Sequence, residues 1–133
     1  MLRLSKRVEY GLMALQYLAK SGEVATTREI SDASNIPYDL LAKVMQFLKR
    51  DGMIDSFQGV RGGYRLMLAP AQITLARVVN ALEEETAITE CASSNPDHNQ
   101  CEMNASCTIK APMHKLQTTI MESVGNMTVA ELL

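Results

Sequence analysis

The chain has 133 residues, of which 47% are hydrophobic, 21% are charged and 5% are aromatic. This length suits one ordinary domain, or a small domain with an oligomerising arm, and it excludes most barrel and doubly wound enzymes. No apolar run approaches the roughly 18–20 residues of a membrane span, and the N-terminus becomes charged too early for a signal peptide. We therefore expect a soluble, intracellular protein with no membrane partner.

The net charge of −2 conceals an asymmetry between the two halves of the chain. Residues 1–65 contain ten Lys/Arg and seven Asp/Glu, whereas residues 66–133 contain three Lys/Arg and eight Asp/Glu. A basic first half is typical of a surface that binds a polyanion, although ordinary scatter also produces an imbalance of this size.

Hydrophobic periodicity predicts three helices in the first half of the chain. The first helix begins after the N-cap Ser5 and ends at Gly22. Thr26 and Glu29 have the spacing of a capping box, which predicts the start of a short second helix. The third helix covers residues 38–50 and is predicted to bury one apolar stripe, formed by Leu41, Val44, Met45 and Leu48.

The hydrophobic period changes after the third helix. Two short strands, at residues 53–57 and 63–68, flank a glycine-rich turn and predict a hairpin. A fourth helix is predicted over residues 73–84, followed by residues 85–110, which have no periodicity and the length of a functional or disordered loop. A last helix begins near Pro112 and carries an apolar stripe, formed by Met113, Leu116, Ile120 and Val124.

This order of elements predicts a mainly α-helical fold with a small β-hairpin wing, which is a winged helix-turn-helix. We place the DNA-binding domain at residues 1–70, and a loop at about 86–110 with dimerisation helices in residues 71–133. The stripe of the last helix exceeds what a small domain needs to bury. We therefore expect it to pair with a second copy across a two-fold axis, the alternative being that it folds back on its own domain.

A winged helix-turn-helix suits double-stranded DNA, because the major groove admits one helix while a cationic hairpin tip reaches the adjacent narrower groove. Lys43 and Gln46 of the third helix are our candidates for base contacts, Tyr38 at its start is a further DNA-binding candidate, and Arg61 of the wing is the candidate for the minor groove. Candidates for phosphate contacts are Lys6, Arg7, Arg28, Lys49 and Arg65. The alternative is a winged-helix module that binds another protein.

All three cysteines, Cys91, Cys101 and Cys107, fall in the loop with C-x9-C-x5-C spacing. The spacing lacks the paired ligands of a zinc knuckle and the C-x-x-C of a dithiol motif. Three thiols on one loop fit an iron–sulfur cluster, whose ligand spacing varies. The alternatives are a metal-free thiol redox switch and three unrelated cysteines.

A cluster normally takes four protein ligands, and the sequence has no fourth cysteine. The candidates for the fourth position are His98, Glu102, His114 and Glu9. The sequence has no nucleophile–base pair, phosphate-binding glycine loop or paired catalytic carboxylates with supporting context. We therefore expect no enzymatic activity and no small-molecule substrate.

Four segments together carry a family resemblance. They are the opening MLRLSKRVEYGLMALQYLA, the third helix with its lead-in (residues 36–48), the wing GVRGGYRL (residues 59–66) and the three-cysteine loop. This combination resembles the iron–sulfur winged-helix regulators typified by IscR, NsrR and RirA, and most of all the regulators of the SUF cluster-assembly operon.

The resemblance implies a bacterial cytoplasmic homodimer that pairs through its long C-terminal helix and usually represses transcription from a palindromic operator. It implies that Cys91, Cys101 and Cys107 ligate a [2Fe–2S] or [4Fe–4S] cluster. In the nitric-oxide-sensing members a first-helix carboxylate of the other subunit is the fourth ligand, and Glu9 stands at the matching position. In the IscR-like members a histidine follows the last cysteine by three residues, where this chain has Lys110.

Overall fold

Helices and one β-hairpin build the first half of the chain in the computed structural model, which describes residues 4–83 and 108–133. Three helices come first: α1 (Lys6–Ser21), α2 (Thr27–Ser34) and α3 (Tyr38–Asp51). Strands β1 (Ile54–Phe57) and β2 (Gly63–Leu66) then pair in antiparallel register. The predicted order of helices and hairpin is confirmed, and the strands are shorter than predicted.

The predicted local signals at the helix ends are also confirmed. The hydroxyl of Ser5 accepts a hydrogen bond from the Val8 N–H at 3.3 Å, so Ser5 is the N-cap of α1. In the capping box of α2, the Glu29 N–H donates to Thr26 Oγ1 at 3.1 Å and the Thr26 N–H donates to Glu29 Oε2 at 2.8 Å. These bonds satisfy amide groups that have no partner inside the helix, and they fix where each helix starts.

The second half of the chain begins with a 3₁₀ turn (Pro70–Gln72), followed by α4 (Leu75–Leu82). After the undescribed stretch, α5 (Lys110–Gly125) precedes a final 3₁₀ turn (Val129–Leu132). None of the described helices has the length and hydropathy needed to cross a membrane.

One core holds α1, α3 and α4 together. The predicted stripe of α3 is buried, and it meets Leu15 of α1 and Val78 and Leu82 of α4 in the same cluster. Gly11 lies at the contact between α1 and α4, where a Cβ atom would collide with Leu82 Cδ1. The absence of a side chain at Gly11 therefore allows α1 to lie close to its neighbours.

The fourth helix is shorter than predicted, because its first residues belong to an extended segment. Thr74 pairs with Thr128 in an antiparallel bridge, and the Leu75 N–H donates to the Met127 carbonyl at 2.7 Å. Ile73 is fully buried in this extended segment. The prediction of a helix from Ile73 was wrong, since a pairing with the C-terminal segment takes its carbonyl group.

Helix α5 begins two residues earlier than predicted, at Lys110. Pro112 therefore lies in the first turn, where a missing N–H costs no intrahelical bond. The predicted apolar stripe faces outwards, with Leu116 42% and Val124 39% exposed, and Gly125 is the one residue of α5 that is buried. The other two residues of the stripe, Met113 and Ile120, are half-buried, and α5 contacts α4 where Gly125 lies against Ala76.

Candidate nucleic-acid interface

Helix α3 presents a polar face opposite its buried stripe. Lys43, Gln46 and Arg50 are all exposed, and their spacing places them on one side of the helix. Tyr38, at the amino end of the helix, is 40% exposed. The two residues predicted for base contacts, Lys43 and Gln46, are therefore exposed on one face of α3, and Arg50 lies at the carboxyl end of the same face.

The turn between α2 and α3 is fixed by buried and stacked contacts. The Ser31 hydroxyl, which is buried, donates to the Ile36 carbonyl at 2.5 Å. The Arg28 guanidinium lies over the Tyr38 ring, 4.2 Å from its centroid. This stacking holds Arg28, a predicted phosphate contact, against the first residue of α3, the helix that is predicted to read the bases and is called the reading helix below.

The wing is attached to the helical core at two places. Ala25 and Tyr64 exchange a pair of backbone hydrogen bonds, of 2.9 Å and 2.7 Å, which link the start of α2 to strand β2. The Lys49 ammonium donates to Ser56 Oγ at 2.8 Å, linking α3 to strand β1. These bonds fix the orientation of the wing relative to the reading helix.

Two arginines of the wing are exposed. Arg61 lies at the hairpin tip beside Val60, whose side chain is fully exposed. Arg65 extends over the Phe57 ring, with 4.6 Å between the guanidinium carbon and the ring centroid. Arg61 is therefore exposed in the turn between β1 and β2, and its contact with the minor groove stays a prediction.

A second aromatic ring contacts arginines from two helices. The guanidinium carbon of Arg7 is 5.6 Å from the centroid of the Phe47 ring, and that of Arg50 is 5.4 Å from it. Arg7 belongs to the first turn of α1, and Arg50 to the last turn of α3. The ring therefore brings a predicted phosphate contact next to a cation of the reading helix.

Two residues with different predicted roles, Lys6 and Glu9, pair in the first turn of α1. Lys6 Nζ is 3.0 Å from Glu9 Oε2, and the side chains are 78% and 46% exposed. An exposed pair of this kind contributes about 0–1 kcal/mol to stability. Glu9 is therefore accessible to another ligand or subunit, and Lys6 to a phosphate.

The last described residue before the cysteines contacts the residue that caps α1. Glu83 is the last described residue before the stretch, and its carboxylate accepts a hydrogen bond from the Ser5 N–H at 3.3 Å. Because the Glu9 N–H donates to the Ser5 carbonyl, Glu9 lies one helical turn beyond this contact. Glu83 is thus close to the first turn of α1 in its own chain, which is the turn that contains Glu9.

Most residues predicted to ligate a cluster fall outside the described ranges, namely Cys91, Cys101, Cys107, His98 and Glu102. His114 is exposed on α5. Between residues 4–83 and 108–133, no three His, Cys, Asp or Glu side chains form a group able to hold a metal.

Comparison with known proteins decides the family. The family model Rrf2, described as an iron-dependent transcriptional regulator, matches residues 4–133. This chain belongs to the Rrf2 family. The HTH-type transcriptional regulator NsrR of Halalkalibacterium halodurans is 30% identical over 134 residues, which cover 99% of this chain and 90% of that protein.

Solved structures share the Rrf2 fold. CymR, the global cysteine regulator of B. subtilis, superimposes with a TM-score of 0.76 at 22% identity, covering 99% of this chain and 96% of that one. IscR of T. potens gives a TM-score of 0.74 at 20% identity, covering 98% of this chain and 85% of that one. The Rrf2 chain described here is a DNA-binding transcriptional regulator of winged-helix fold, and not an enzyme.

Sequence reasoning missed two arginines of this Rrf2 chain. Arg50 could have been found, because it follows Lys43 by two helical turns and must share its face. Arg77 of α4 had no such signal. Its Nε donates to Asp51 Oδ2 at 2.6 Å and one of its NH₂ groups donates to the Asp51 carbonyl at 3.1 Å, which joins α4 to the end of the reading helix.

Proposed function

We propose that this Rrf2 regulator senses an iron–sulfur cluster of the [2Fe–2S] or [4Fe–4S] type. The proposed ligands are Cys91, Cys101 and Cys107, with Glu9 of the partner subunit as the fourth. The observation that carries the proposal is the exposure of Glu9, 46% for its side chain, because a carboxylate exposed on the first turn of α1 is accessible to the three thiols of a second copy. The proposed regulator represses cluster-assembly genes as a bacterial, cytoplasmic homodimer on a palindromic operator.

The donor set fits this group chemically. Thiolates are the ordinary ligands of iron–sulfur clusters, and one ligand of another type is found in several of them. Glu9 is the carboxylate of the first turn of α1, and its salt bridge with Lys6 is exposed. Because such a salt bridge contributes little free energy, Glu9 can exchange Lys6 for another partner at low cost. When bound, a cluster would supply a ligation centre that is sensitive to iron supply, oxygen and nitric oxide.

Contacts within the chain connect the first turn of α1, where Glu9 lies, to the reading helix α3. Ligation by Glu9 would restrain the first turn of α1, which also contains Arg7. Arg7 contacts Phe47 of α3, so a shift of this turn changes the environment of the reading face. Loss of the restraint would change the fraction of the protein that is in the geometry that binds DNA. The size of this change is set by how differently the two geometries, DNA-binding and not, bind the cluster.

The exposed stripe of α5 supports a homodimer. Leu116 and Val124 are 42% and 39% exposed, and they lie on the same side as Met113 and Ile120. A second copy of α5 would cover this stripe across a two-fold axis. Two-fold symmetry also matches two half-sites of a palindromic operator.

The test compares ligand variants for cluster content and for DNA binding. Cys107→Ala is expected to lose the bound iron and sulfide, and with them the difference in DNA affinity between cluster-loaded and chelator-treated protein. Glu9→Gln should retain the thiolate ligands but weaken that difference, whereas the matched control Glu23→Gln, in the exposed segment that follows α1, should not. Full retention of iron, sulfide and the affinity difference by Cys107→Ala would refute the proposal.

A second candidate uses the same thiols without a metal. The wide spacing of the three cysteines on one stretch is compatible with a disulfide, in which two thiols give two protons and two electrons to a peroxide. Peroxide-treated protein would then be lighter by two hydrogens in mass spectrometry, and duplex affinity would follow that species. A protein-interaction module, the remaining alternative, would show no salt-sensitive binding to duplex DNA.

A further inference from the structure

We propose that Arg7 and Arg50 form a phosphate clamp, held by Phe47, that grips the DNA backbone at the carboxyl end of the reading helix. The clamp adds Arg50 to the DNA contacts and assigns Phe47 as the residue that positions both cations. It rests on the DNA-binding role of this regulator and does not require that the chain holds a cluster.

The clamp joins two helices that are distant in sequence. Arg7 comes from the first turn of α1 and Arg50 from the last turn of α3, and both guanidinium carbons lie within 6 Å of the Phe47 centroid, at 5.6 Å and 5.4 Å. Phe47 is half-buried and packs against the core, whereas both arginines are exposed. A ring fixed by the core therefore keeps the two guanidinium carbons no more than about 11 Å apart, which is the sum of their distances from its centroid.

Two guanidinium groups within about 11 Å of each other repel, and an anion close to both offsets that repulsion. Within residues 4–83 and 108–133, neither Arg7 nor Arg50 takes part in an ion pair. The acid next to Arg50 in sequence, Asp51, is already bound by Arg77 at 2.6 Å. The described protein thus concentrates positive charge at this point and supplies no anion to balance it.

A phosphate is the anion that this arrangement fits. A guanidinium that stacks on an aromatic face leaves its N–H edge free, and this edge donates to phosphate oxygens in a planar, bidentate manner. Arg50 also follows Lys43 by two helical turns, so the clamp lies on the same face as the residues predicted to contact bases. A DNA strand that meets this face therefore brings its phosphates to the clamp.

The clamp predicts effects on affinity that do not depend on base sequence. Phosphate contacts position a protein on DNA without reading sequence, and each one contributes about 0.9 to the slope of log affinity against log salt. Removal of Arg50 should therefore weaken binding to any duplex by a similar factor. A base contact such as Lys43 should instead weaken the selected site more than a random one.

The experiment measures affinity between about 50 and 200 mM KCl for two duplexes of about 30 base pairs. One duplex has random sequence, and the other is selected by the protein from a random pool. The variants are Arg50→Ala, Arg7→Ala and Phe47→Leu, with Lys20→Ala as the control. Lys20 is an exposed cation about 20 Å along α1 from Arg7, so its removal changes the net charge equally without touching the clamp.

Arg50→Ala and Arg7→Ala are each expected to lower the affinity for both duplexes about tenfold and the salt slope by about 0.9, whereas Lys20→Ala changes neither. Phe47→Leu keeps both charges, so it should lower the affinity and make the cost of Arg50→Ala smaller than in the wild type. Should Phe47→Leu fail to fold, Arg50→Lys tests the clamp at the cation instead: it keeps the charge, loses the planar fork and should also lower the affinity for both duplexes. Phe47→Tyr, which keeps the aromatic face, should restore the wild-type affinity.

Equal salt slopes for Arg50→Ala, Lys20→Ala and the wild type would overturn the clamp while the DNA-binding assignment stands. A loss confined to the selected duplex would also overturn it, since Arg50 would then be a base contact. A wild-type chain with no salt-dependent binding to either duplex would overturn the DNA-binding assignment and the clamp with it.

Discussion

Replacement of Gly63 by alanine tests how the wing is fixed to the helical core. Gly63 has φ of +148°, and a Cβ atom there would lie 2.5 Å from the Ala25 carbonyl oxygen and 2.6 Å from its carbon. These are backbone atoms of a buried residue and cannot rotate away. We therefore expect Gly63→Ala to push strand β2 away from the start of α2.

The loss in the free energy of unfolding can be estimated from the hydrogen bonds that the displacement breaks and from the backbone strain. The two hydrogen bonds between Ala25 and Tyr64, of 2.9 Å and 2.7 Å, contribute about 0.5–1.5 kcal/mol each. An alanine in an unfavourable backbone conformation costs a further 1–3 kcal/mol or so. Because the displacement relieves part of the strain, we expect Gly63→Ala to lower the free energy of unfolding by about 2–4 kcal/mol.

The measurement is urea denaturation, with Gly59→Ala as the matched control. Gly59 also has a positive φ, of +119°, but no atom lies within 4 Å of the position of its added Cβ. This control should therefore cost only the conformational strain, about 1–2 kcal/mol. Equal losses for Gly63→Ala and Gly59→Ala would refute the role given to the close approach of Gly63 to Ala25.

Three further predictions concern the wing tip, the α3–α4 contact and the dimer. Arg61→Ala should weaken duplex binding whether or not a cluster is present, and an unchanged affinity in fluorescence anisotropy would contradict the placement of the wing on DNA. Arg77→Ala removes a partly exposed ion pair with Asp51, so urea denaturation should show a loss of at most about 1 kcal/mol that shrinks at high salt. Leu116→Asp places a charge in the exposed stripe of α5 and should convert a dimer to monomers in sedimentation analysis; an unchanged dimer would show that another surface pairs.

The elements whose signals are local could be predicted from the sequence. The Thr26–Glu29 capping box and the Ser5 cap each involve residues three apart, so the sequence contains both partners of every bond. The buried stripe of α3 follows from helical periodicity in the same way. The start of α4 could not be predicted, because Ile73 is held extended by a segment more than fifty residues later.

The residues predicted to bind DNA show the same difference between local signals and long-range contacts. Exposure of Lys43, Gln46 and Arg61 follows from periodicity and from the turn, and the structure agrees. The stacking of Arg7 on Phe47 depends on how α1 packs against α3, which no local pattern contains. The sequence therefore predicts which cations are exposed but not which of them are held together.

The central claim is that the three cysteines ligate an iron–sulfur cluster, and the most direct measurement is iron and acid-labile sulfide per chain. The protein should be purified without oxygen, and its visible spectrum recorded. We predict iron and sulfide in equal amounts, at about two or about four of each per cluster, with visible colour that is absent from Cys107→Ala. Colourless protein that contains neither element and takes up none on anaerobic reconstitution would contradict the claim.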